Sequence, residues 1–355
     1  MKTKTALLFL LFATLSFAQV RNEIKIPDIM GYKTLKCDLH IHTVFSDGLV
    51  WPSVRVDEAY REGLDAIAIT DHIEYRPFKD DVVASHNRSS EIAQNAAKNK
   101  DVIVIKGSEI TRGMPPGHSN AIFLQDCDAL DVPNYIDAFR AAKNQDAFIF
   151  WNHPGWKSQQ PDTTLWWDEH TELYDEGLMQ GIEVVNGGSY YPEAHGWALE
   201  KKLTFMGNSD IHAPSIPKEG KHRTMTLVFA KEKTEQSIKE ALLNRRTVVY
   251  MGDKLIGEEV YLRQIADKAV EILNVTRQNN TLLVDVKNTS DIPFYLEETE
   301  HDPNIVYFQT FTIEPHSTQT ITIKLENGVN GGTMKFEVTN LLVGPNKGLQ
   351  MSYDI

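Results

Sequence analysis

Hydrophobic and polar residues follow two different patterns along the chain. From Thr34 to about Gly252, short apolar runs are each followed by a stretch with the spacing of an amphipathic helix. Runs such as AIAIT at 66–70 and FIFW at 148–151 are apolar on both faces, which is typical of parallel strands covered by helices on each side. The pattern predicts an α/β fold with a parallel sheet, and its seven or eight repeats favour a closed barrel.

After about Leu255 the pattern changes to short alternating strands separated by turns rich in Asn, Gly and Pro, without a helical repeat. This spacing predicts a small β-sandwich. The predicted domains are an N-terminal segment over 19–33, the barrel over 34–255 and the sandwich over 268–355. Within the barrel, the predicted strands are 35–42, 66–72, 102–109, 120–124, 147–153, 181–186, 203–210 and 226–230, and the predicted helices are 52–64, 83–100, 132–144, 192–202 and 234–245.

The first 18 residues have the organisation of a secretory signal peptide. Lys2 and Lys4 precede a short apolar core, and the small residues Ser16 and Ala18 stand where a signal peptidase requires them. We therefore predict an exported protein, periplasmic or secreted, whose mature chain has no transmembrane anchor. A buried N-terminal helix is the alternative interpretation of this segment.

Charge narrows the range of partners. The chain carries 36 Lys and Arg against 49 Asp and Glu, a net charge of −13, which disfavours bulk nucleic acid and anionic membranes as partners. Any bound phosphate must be held by metal ions or by a few local Arg and Lys side chains. The two cysteines, Cys37 and Cys127, do not indicate a disulfide scaffold, and the sequence leaves open whether they pair.

The predicted strands repeatedly end in histidine or an acidic residue. His40 and His42 project from the same face of the first strand, because residues two apart in a strand point the same way. In a parallel barrel such strand ends meet on one rim, where unpaired buried charges would be costly and metal ions would compensate them. With two rim-loop residues added, the candidate ligands are His40, His42, Asp47, His72, Glu109, His118, His153, Asp210 and His212. Imidazole and carboxylate without thiolate favour Mn, Zn or Fe, and this many ligands suit two or three divalent ions.

The segments DLHIHTVFSDG, AITDH, GSEI, NHP and SDIH occur in this order within about residues 34–252. Their order resembles the PHP (polymerase and histidinol phosphatase) family of metal-dependent phosphoesterases. The resemblance implies a distorted (β/α)7 TIM-like barrel with a three-metal cluster at its C-terminal rim. It implies that His40, His42 and Asp210 hold the first ion, that Glu109 bridges to a second ion held by His118 and His153, and that Asp47, His72 and His212 hold the third.

Two features depart from the family pattern. Some members have His where this chain has Asp47, and the signal peptide and β-sandwich differ from the cytosolic histidine-biosynthesis members. The combination favours an exported phosphodiesterase branch, in which a metal-activated hydroxide attacks a small phosphorylated substrate. Glu109 and Asp210 would serve catalysis within the cluster, and Arg112 and Arg223 are the predicted phosphate contacts.

Two alternatives remain from the sequence. One is a phosphomonoesterase or nucleotidase that uses the same cluster, and the other is an exported binding module in which the metals are structural. The sequence leaves the oligomeric state open. The tryptophans at 151, 156, 166 and 167 either pack in the core or form an aromatic wall beside the ester group. His170 is predicted to lie on the surface, and His195 on a helix face.

Overall fold

A computed structural model describes residues 20–216 and 222–355, so the predicted signal peptide over 1–18 lies outside the described residues. The barrel strands are β1 Lys33–Ile41, β2 Ala66–Ile69, β3 Ile103–Ile110, β4 Ser119–Ile122, β5 Phe148–Trp151, β6 Gly181–Asn186, β7 Ser189–Tyr190, β8 Thr204–Asn208, β9 Met225–Ala230, β10 Thr247–Met251 and β11 Lys254–Gly257. The helices are α1 Pro52–Arg61, α2 Arg88–Ala97, α3 Tyr135–Lys143, α4 Asp168–Asp175, α5 Pro192–Glu200, α6 Glu235–Leu243 and α7 Glu259–Ala269, with a 3₁₀ turn at Asp128–Leu130. No helix in the described ranges is long and apolar enough to cross a membrane.

The barrel wall is a mixed sheet rather than the parallel sheet that the sequence predicts. Parallel pairing joins β1 to β2, β2 to β3, β5 to β6 and β6 to β8. Antiparallel pairing joins β3 to β4, β4 to β5, β1 to β9 and β9 to β10. The reversed strand β4 begins at the rim where β3 and β5 end, so the residue before β4 also reaches that rim.

Side-chain hydrogen bonds, rather than a regular ladder, join β8 to β9 and β1. The Thr226 hydroxyl accepts from the Gly207 N–H at 3.0 Å and donates to the Gly207 carbonyl at 2.9 Å. Asn208 accepts from the Leu39 N–H at 2.8 Å. Gly207 also allows close packing, since a Cβ there would lie 2.1 Å from Cγ1 of Val249. These contacts close the distorted barrel, and the predicted fold class is confirmed.

Burial explains why these runs form the wall. Every residue of β2, β5 and β9 is buried. The sequences of β2 and β5 are uninterrupted apolar runs, and the one polar residue of β9, Thr226, bonds to Gly207. Helix α1 begins with Pro52 in its first turn, where a missing N–H costs no hydrogen bond. Helix α2 is shorter than the predicted 83–100. The Asn87 side chain, just before the helix, donates to Asp126 and Asp128 and does not cap the helix.

Two helices were not predicted from the sequence. The short helix α4 buries only His170 and Leu173, so it lacks a clear apolar stripe. Helix α7 lies in the stretch where the sequence pattern predicts only strands, yet it buries Leu262, Ile265 and Ala266 at helical spacing. The prediction of no helix after Leu255 is therefore wrong.

The C-terminal part is a two-sheet β-sandwich, as predicted. Its strands are β12 Val270–Gln278, β13 Thr281–Asn288, β14 Phe294–Glu300, β15 Ile305–Val306, β16 Thr310–Ile313, β17 Thr318–Leu325, β18 Thr333–Gly344 and β19 Lys347–Asp354. One sheet has the order β12-β13-β17-β15, and the other contains β16, β14, β18 and β19. Strand β18 pairs in parallel with β11, with Leu341 opposite Leu255, so this second sheet continues into the barrel wall.

Candidate metal centre

The nine predicted ligands converge at one end of the barrel, around a cavity of about 270 Å³. His40 and His42 lie fully buried beneath it. His118 reaches this rim because it precedes the reversed strand β4, whereas His153 reaches it by following β5. The residues that line the cavity are Asp47, His72, Glu109, His118, His153, Trp156, Asn186, Asp210 and His212.

Four side chains surround one point at the base of the cavity. The Nε2 atoms of His40 and His42 lie 3.0 Å apart. Both nitrogens face Asp210 Oδ1, at 3.2 Å and 3.0 Å, and both face Glu109 Oε2, at 3.5 Å and 3.4 Å. Two imidazoles and two carboxylates at these separations can share one divalent ion.

Two further groups of donors adjoin this point. Glu109 Oε1 lies 3.0 Å from His118 Nδ1 and 3.5 Å from His153 Nε2. Asp47 Oδ1 lies 3.4 Å from His72 Nε2 and 3.2 Å from His212 Nε2.

His72 lies between these two groups. While its Nε2 faces Asp47, its Nδ1 lies 2.9 Å from Glu109 Oε2. Three overlapping sets of donor atoms, each within 4.8 Å, result: His42, Asp47, His72 and His212; His40, His42 and Glu109; and His72, Glu109 and His118. The assignment of each ligand to one particular ion stays a prediction.

The donor set fits divalent ions. Asp47 Oδ1, Glu109 Oε2 and Asp210 Oδ1 are buried and accept no hydrogen bond from the described residues. A buried carboxylate oxygen without a hydrogen bond is costly, and a cation at this position removes that cost. Nitrogen and oxygen donors without sulfur are suited to Zn, Mn or Fe.

The charges of the site support the same interpretation. Burial alone would raise the pKa of Glu109 and of Asp210, but the surrounding histidines, His40 among them, hold both pKa values well below their usual range. Burial lowers the pKa of His42, so its imidazole favours the neutral form that binds metals. The two carboxylates are therefore ionised at neutral pH, as ligands must be.

The backbone at the site is strained. His153 and Asp210 adopt positive φ angles of 30° and 51°, a region that costs a non-glycine residue about 1–3 kcal/mol. Hydrogen bonds hold both residues there, since the His153 N–H donates to Glu183 at 2.8 Å and the Asp210 N–H donates to the His40 carbonyl at 3.0 Å. Strain of this kind collects at functional sites, where it fixes the direction of a side chain.

Two buried carboxylates, Asp71 and Glu183, lie behind the predicted ligands and hold them in place. The sequence pattern did not predict this positioning role. Asp71 accepts hydrogen bonds from the Thr43 N–H, the Thr43 hydroxyl and the Ser46 hydroxyl, each at 2.7 Å, which holds the loop after β1. Glu183 accepts from His40 Nδ1 at 2.9 Å and from the His153 backbone. A charged residue inside the otherwise apolar run GIEVV was the available signal for Glu183.

The two predicted phosphate-binding arginines do not line the cavity. Arg112 pairs with Glu74 at 2.7 Å and donates to the carbonyls of Val132 and Pro133. Arg223 is buried between Asp38 and Glu62, at 3.1 Å and 2.7 Å.

Each guanidinium group therefore already binds carboxylates or carbonyls of the folded chain, and the local sequence does not predict these partners. Among the described residues that line the cavity there is no Lys or Arg. The structure thus does not place Arg112 or Arg223 at the predicted phosphate contacts.

The remaining histidine, tryptophan and cysteine candidates lie mostly in the core. His170 is buried rather than exposed: its ring stacks on Trp151 at 3.7 Å, and its Nε2 donates to the Pro116 carbonyl at 2.7 Å. Burial lowers the pKa of His170 to about 4. Trp151 packs in the core, whereas Trp156 lines the cavity. Cys37 and Cys127 are buried free thiols.

Comparisons with known proteins agree with this geometry. The PHP domain model matches residues 38–185, and an Ig-like domain model matches residues 269–354. The crystal structure of a two-domain protein from Bacteroides vulgatus, which contains a predicted PHP-like metal-dependent phosphoesterase, superposes with a TM-score of 0.93 at 55% identity, covering 95% of this chain and 100% of that chain. An uncharacterized protein from Methanocaldococcus jannaschii is 38% identical over 194 residues, which are 51% of this chain and 83% of the archaeal protein. The chain therefore belongs to the PHP family, with an Ig-like domain following its PHP domain.

Proposed function

We propose that this chain is an exported, metal-dependent phosphoesterase that hydrolyses small phosphodiesters. The observation that carries the proposal is the convergence of histidines and carboxylates on one cavity, in which three buried carboxylate oxygens accept no hydrogen bond from the described residues. Membership of the PHP family supports the reaction class, as does the likeness to the Bacteroides vulgatus protein. The site would hold two or three divalent ions, and each would be Mn, Zn or Fe.

Charge favours a diester over a monoester. A phosphodiester carries one negative charge at neutral pH, whereas a monoester carries nearly two. The described residues that line the cavity offer no Lys or Arg, and the whole chain has a net charge of −13. Positive charge at the site would come from the ions, which favours the less anionic substrate and disfavours nucleic acid polymers.

When bound, the ions would supply positive charge for the phosphate oxygens and would acidify a water, so that hydroxide is available at neutral pH. The chain's own residues prepare the site for this. Glu109 faces all three groups of donors and keeps them together, and Asp210 faces His40 and His42. Glu183 accepts from His40 Nδ1, which leaves the Nε2 of His40 free to face an ion.

Export is part of the proposal. The pattern at Met1–Ala18 supports it, and an Ig-like domain is compatible with an extracellular location. Immunodetection of the processed chain in periplasmic and medium fractions tests this point, and retention of the full-length protein in the cytoplasm would contradict it.

The reaction is tested by comparing bis(p-nitrophenyl) phosphate with p-nitrophenyl phosphate as substrates of the purified protein loaded with Mn or Zn. We expect faster cleavage of the diester and loss of activity in Asp210→Asn. Faster cleavage of the monoester would replace the proposal with a phosphatase. Bound metal without hydrolysis of either compound would favour the binding module.

A further inference from the structure

A second concavity of about 500 Å³ adjoins the metal cavity, and the indole of Trp156 lines both. We call it the side groove; it lies between residues 155–164, which follow β5, and residues 189–193, which lead into α5. Trp156 is 43% exposed, and its ring centroid lies 5.7 Å from His118 and 5.3 Å from His153. A molecule held at the cluster therefore reaches the side groove across one side chain.

The walls of the side groove are held by the core. Gly155 lets them approach, since a Cβ there would lie 2.6 Å from Cδ1 of Tyr191 and 2.9 Å from the Thr164 hydroxyl. The Tyr190 hydroxyl is hydrogen-bonded to Nδ1 of His195 at 2.8 Å, and His195 is fully buried. The groove is thus a preformed feature, as binding sites for small molecules usually are.

The side groove is also electrostatically connected to the cluster. Burial raises the pKa of the Tyr191 phenol, and the charges on Glu183 and Asp210 raise it further. The phenol therefore stays neutral and can both donate and accept a hydrogen bond.

The chemistry of the side groove selects one type of ligand. Trp156 and Tyr191 offer aromatic surface, and Thr164 offers a hydroxyl. Asp162 and Glu193 add two carboxylates, and Lys157 adds one ammonium group. The lining therefore offers both donors and acceptors to alcohols, and its excess of negative charge disfavours an anionic ligand. Aromatic surface beside hydroxyls and carboxylates suits a neutral ligand that has an apolar face and several hydroxyl groups.

We infer that the side groove binds the second alcohol of the phosphodiester, and that this alcohol is a neutral sugar or sugar-like polyol. The inference rests on the proposed phosphodiesterase function. It extends that function because the phosphate would lie at the ions, whereas the second alcohol would lie on a separate surface lined by Trp156, Tyr191 and Thr164.

Kinetics with two chromogenic diesters test the assignment. Methyl p-nitrophenyl phosphate and the glucose-6-yl ester of p-nitrophenyl phosphate share a leaving group and differ in the other arm. We expect a KM about tenfold lower for the glucosyl diester at a similar kcat, because two or three additional hydrogen bonds form in the groove. Equal KM values for the two diesters would overturn the inference.

Variants separate the groove from the cluster. Thr164→Val removes a groove hydroxyl while preserving shape, and should raise the KM of the glucosyl diester about threefold to tenfold without affecting the methyl diester. Thr276→Val, on the exposed strand β12 of the sandwich, is the matched control and should affect neither. An equal effect of Thr164→Val on both diesters would contradict the assignment.

A binding measurement keeps the inference distinct from the proposed function. Titration calorimetry of the metal-loaded protein with glucose 6-phosphate and with methyl phosphate reports on the groove without depending on cleavage of a diester. Tighter binding of glucose 6-phosphate that weakens in Thr164→Val would support the groove even if neither diester is cleaved, in which case only the proposed reaction fails. Equal affinities for the two phosphates would overturn the groove assignment whatever the activity.

Discussion

Glu183 is the residue whose replacement tests the metal centre most directly. It is fully buried on β6, and its carboxylate accepts four hydrogen bonds. Oε1 accepts from His40 Nδ1 at 2.9 Å and from the Asn208 amide at 3.0 Å. Oε2 accepts from the His153 N–H at 2.8 Å and from the Asn186 amide at 2.9 Å. One side chain thus orients two predicted ligands.

Glu183→Gln preserves the size of the side chain but replaces one acceptor oxygen with an NH₂ group. If this NH₂ faces His40, the imidazole proton must move from Nδ1 to Nε2, the nitrogen that faces the cluster. If it faces His153, the strained backbone loses its anchor. Each lost hydrogen bond to a charged acceptor is worth about 1.5–3 kcal/mol, and changes behind metal ligands typically weaken metal binding about 10–100-fold.

The assay is competition of the purified protein with a chromophoric chelator for Mn or Zn, which gives the dissociation constant without reference to activity. Nitrogen-15 NMR of the metal-free protein reports the His40 tautomer separately. Glu337→Gln, which makes the same change at a carboxylate that accepts from the Gly348 N–H in the sandwich, is the control. Unchanged metal affinity in Glu183→Gln, or an equal loss in Glu337→Gln, would refute the reasoning.

Three other measurements test the structure. Asp291 is partly buried, which opposes ionisation, but His222, the Lys25 N–H and His316 lower its pKa to about 2. Because the pKa of Asp291 is lower in the folded than in the unfolded chain, its ionisation stabilises the fold above pH 3.8, and this stabilisation is lost as the pH falls toward 2. Thermal melts over this pH range should therefore show a smaller loss of Tm in Asp291→Asn than in the wild type. Parallel Tm curves for the two proteins would contradict this. Gly207→Ala should lower the free energy of unfolding in urea by about 1–3 kcal/mol, because the added Cβ meets Val249. The control Gly188→Ala, which adds a Cβ in open space, should lower it by less than about 0.5 kcal/mol. Equal losses in the two variants would show that the barrel closes differently. Adding Mn or Zn at about 100 times its dissociation constant should stabilise the chelator-treated protein by about 2.7 kcal/mol, and an unchanged Tm would contradict the assignment of the buried carboxylates as ligands.

The local sequence was sufficient to predict the fold class and the set of residues at the rim. Buried strands need uninterrupted apolar runs, and AIAI and FIFW show this directly. A polar residue at the end of such a run therefore lies at the end of the sheet. His40 and His42 could be placed together from their spacing alone, because alternation along a strand is a local geometric property.

Tertiary structure decided which groups became partners. The reversed direction of β4 and β9 depends on which strand lies beside them, and apolar runs look alike in parallel and antiparallel pairing. Arg223 was available in the sequence for a phosphate, yet the folded chain places it between Asp38 and Glu62, which are far from it in sequence.

The role of Glu183 behind the cluster and the join between barrel and sandwich were likewise visible only in the folded chain. Glu183 bonds to His40, which lies 143 positions away, and β11 pairs with the distant strand β18. Periodicity reports the environment of a residue through its neighbours in the chain. The identity of a hydrogen-bonding or ionic partner depends instead on long-range register, which forms only when the whole chain packs.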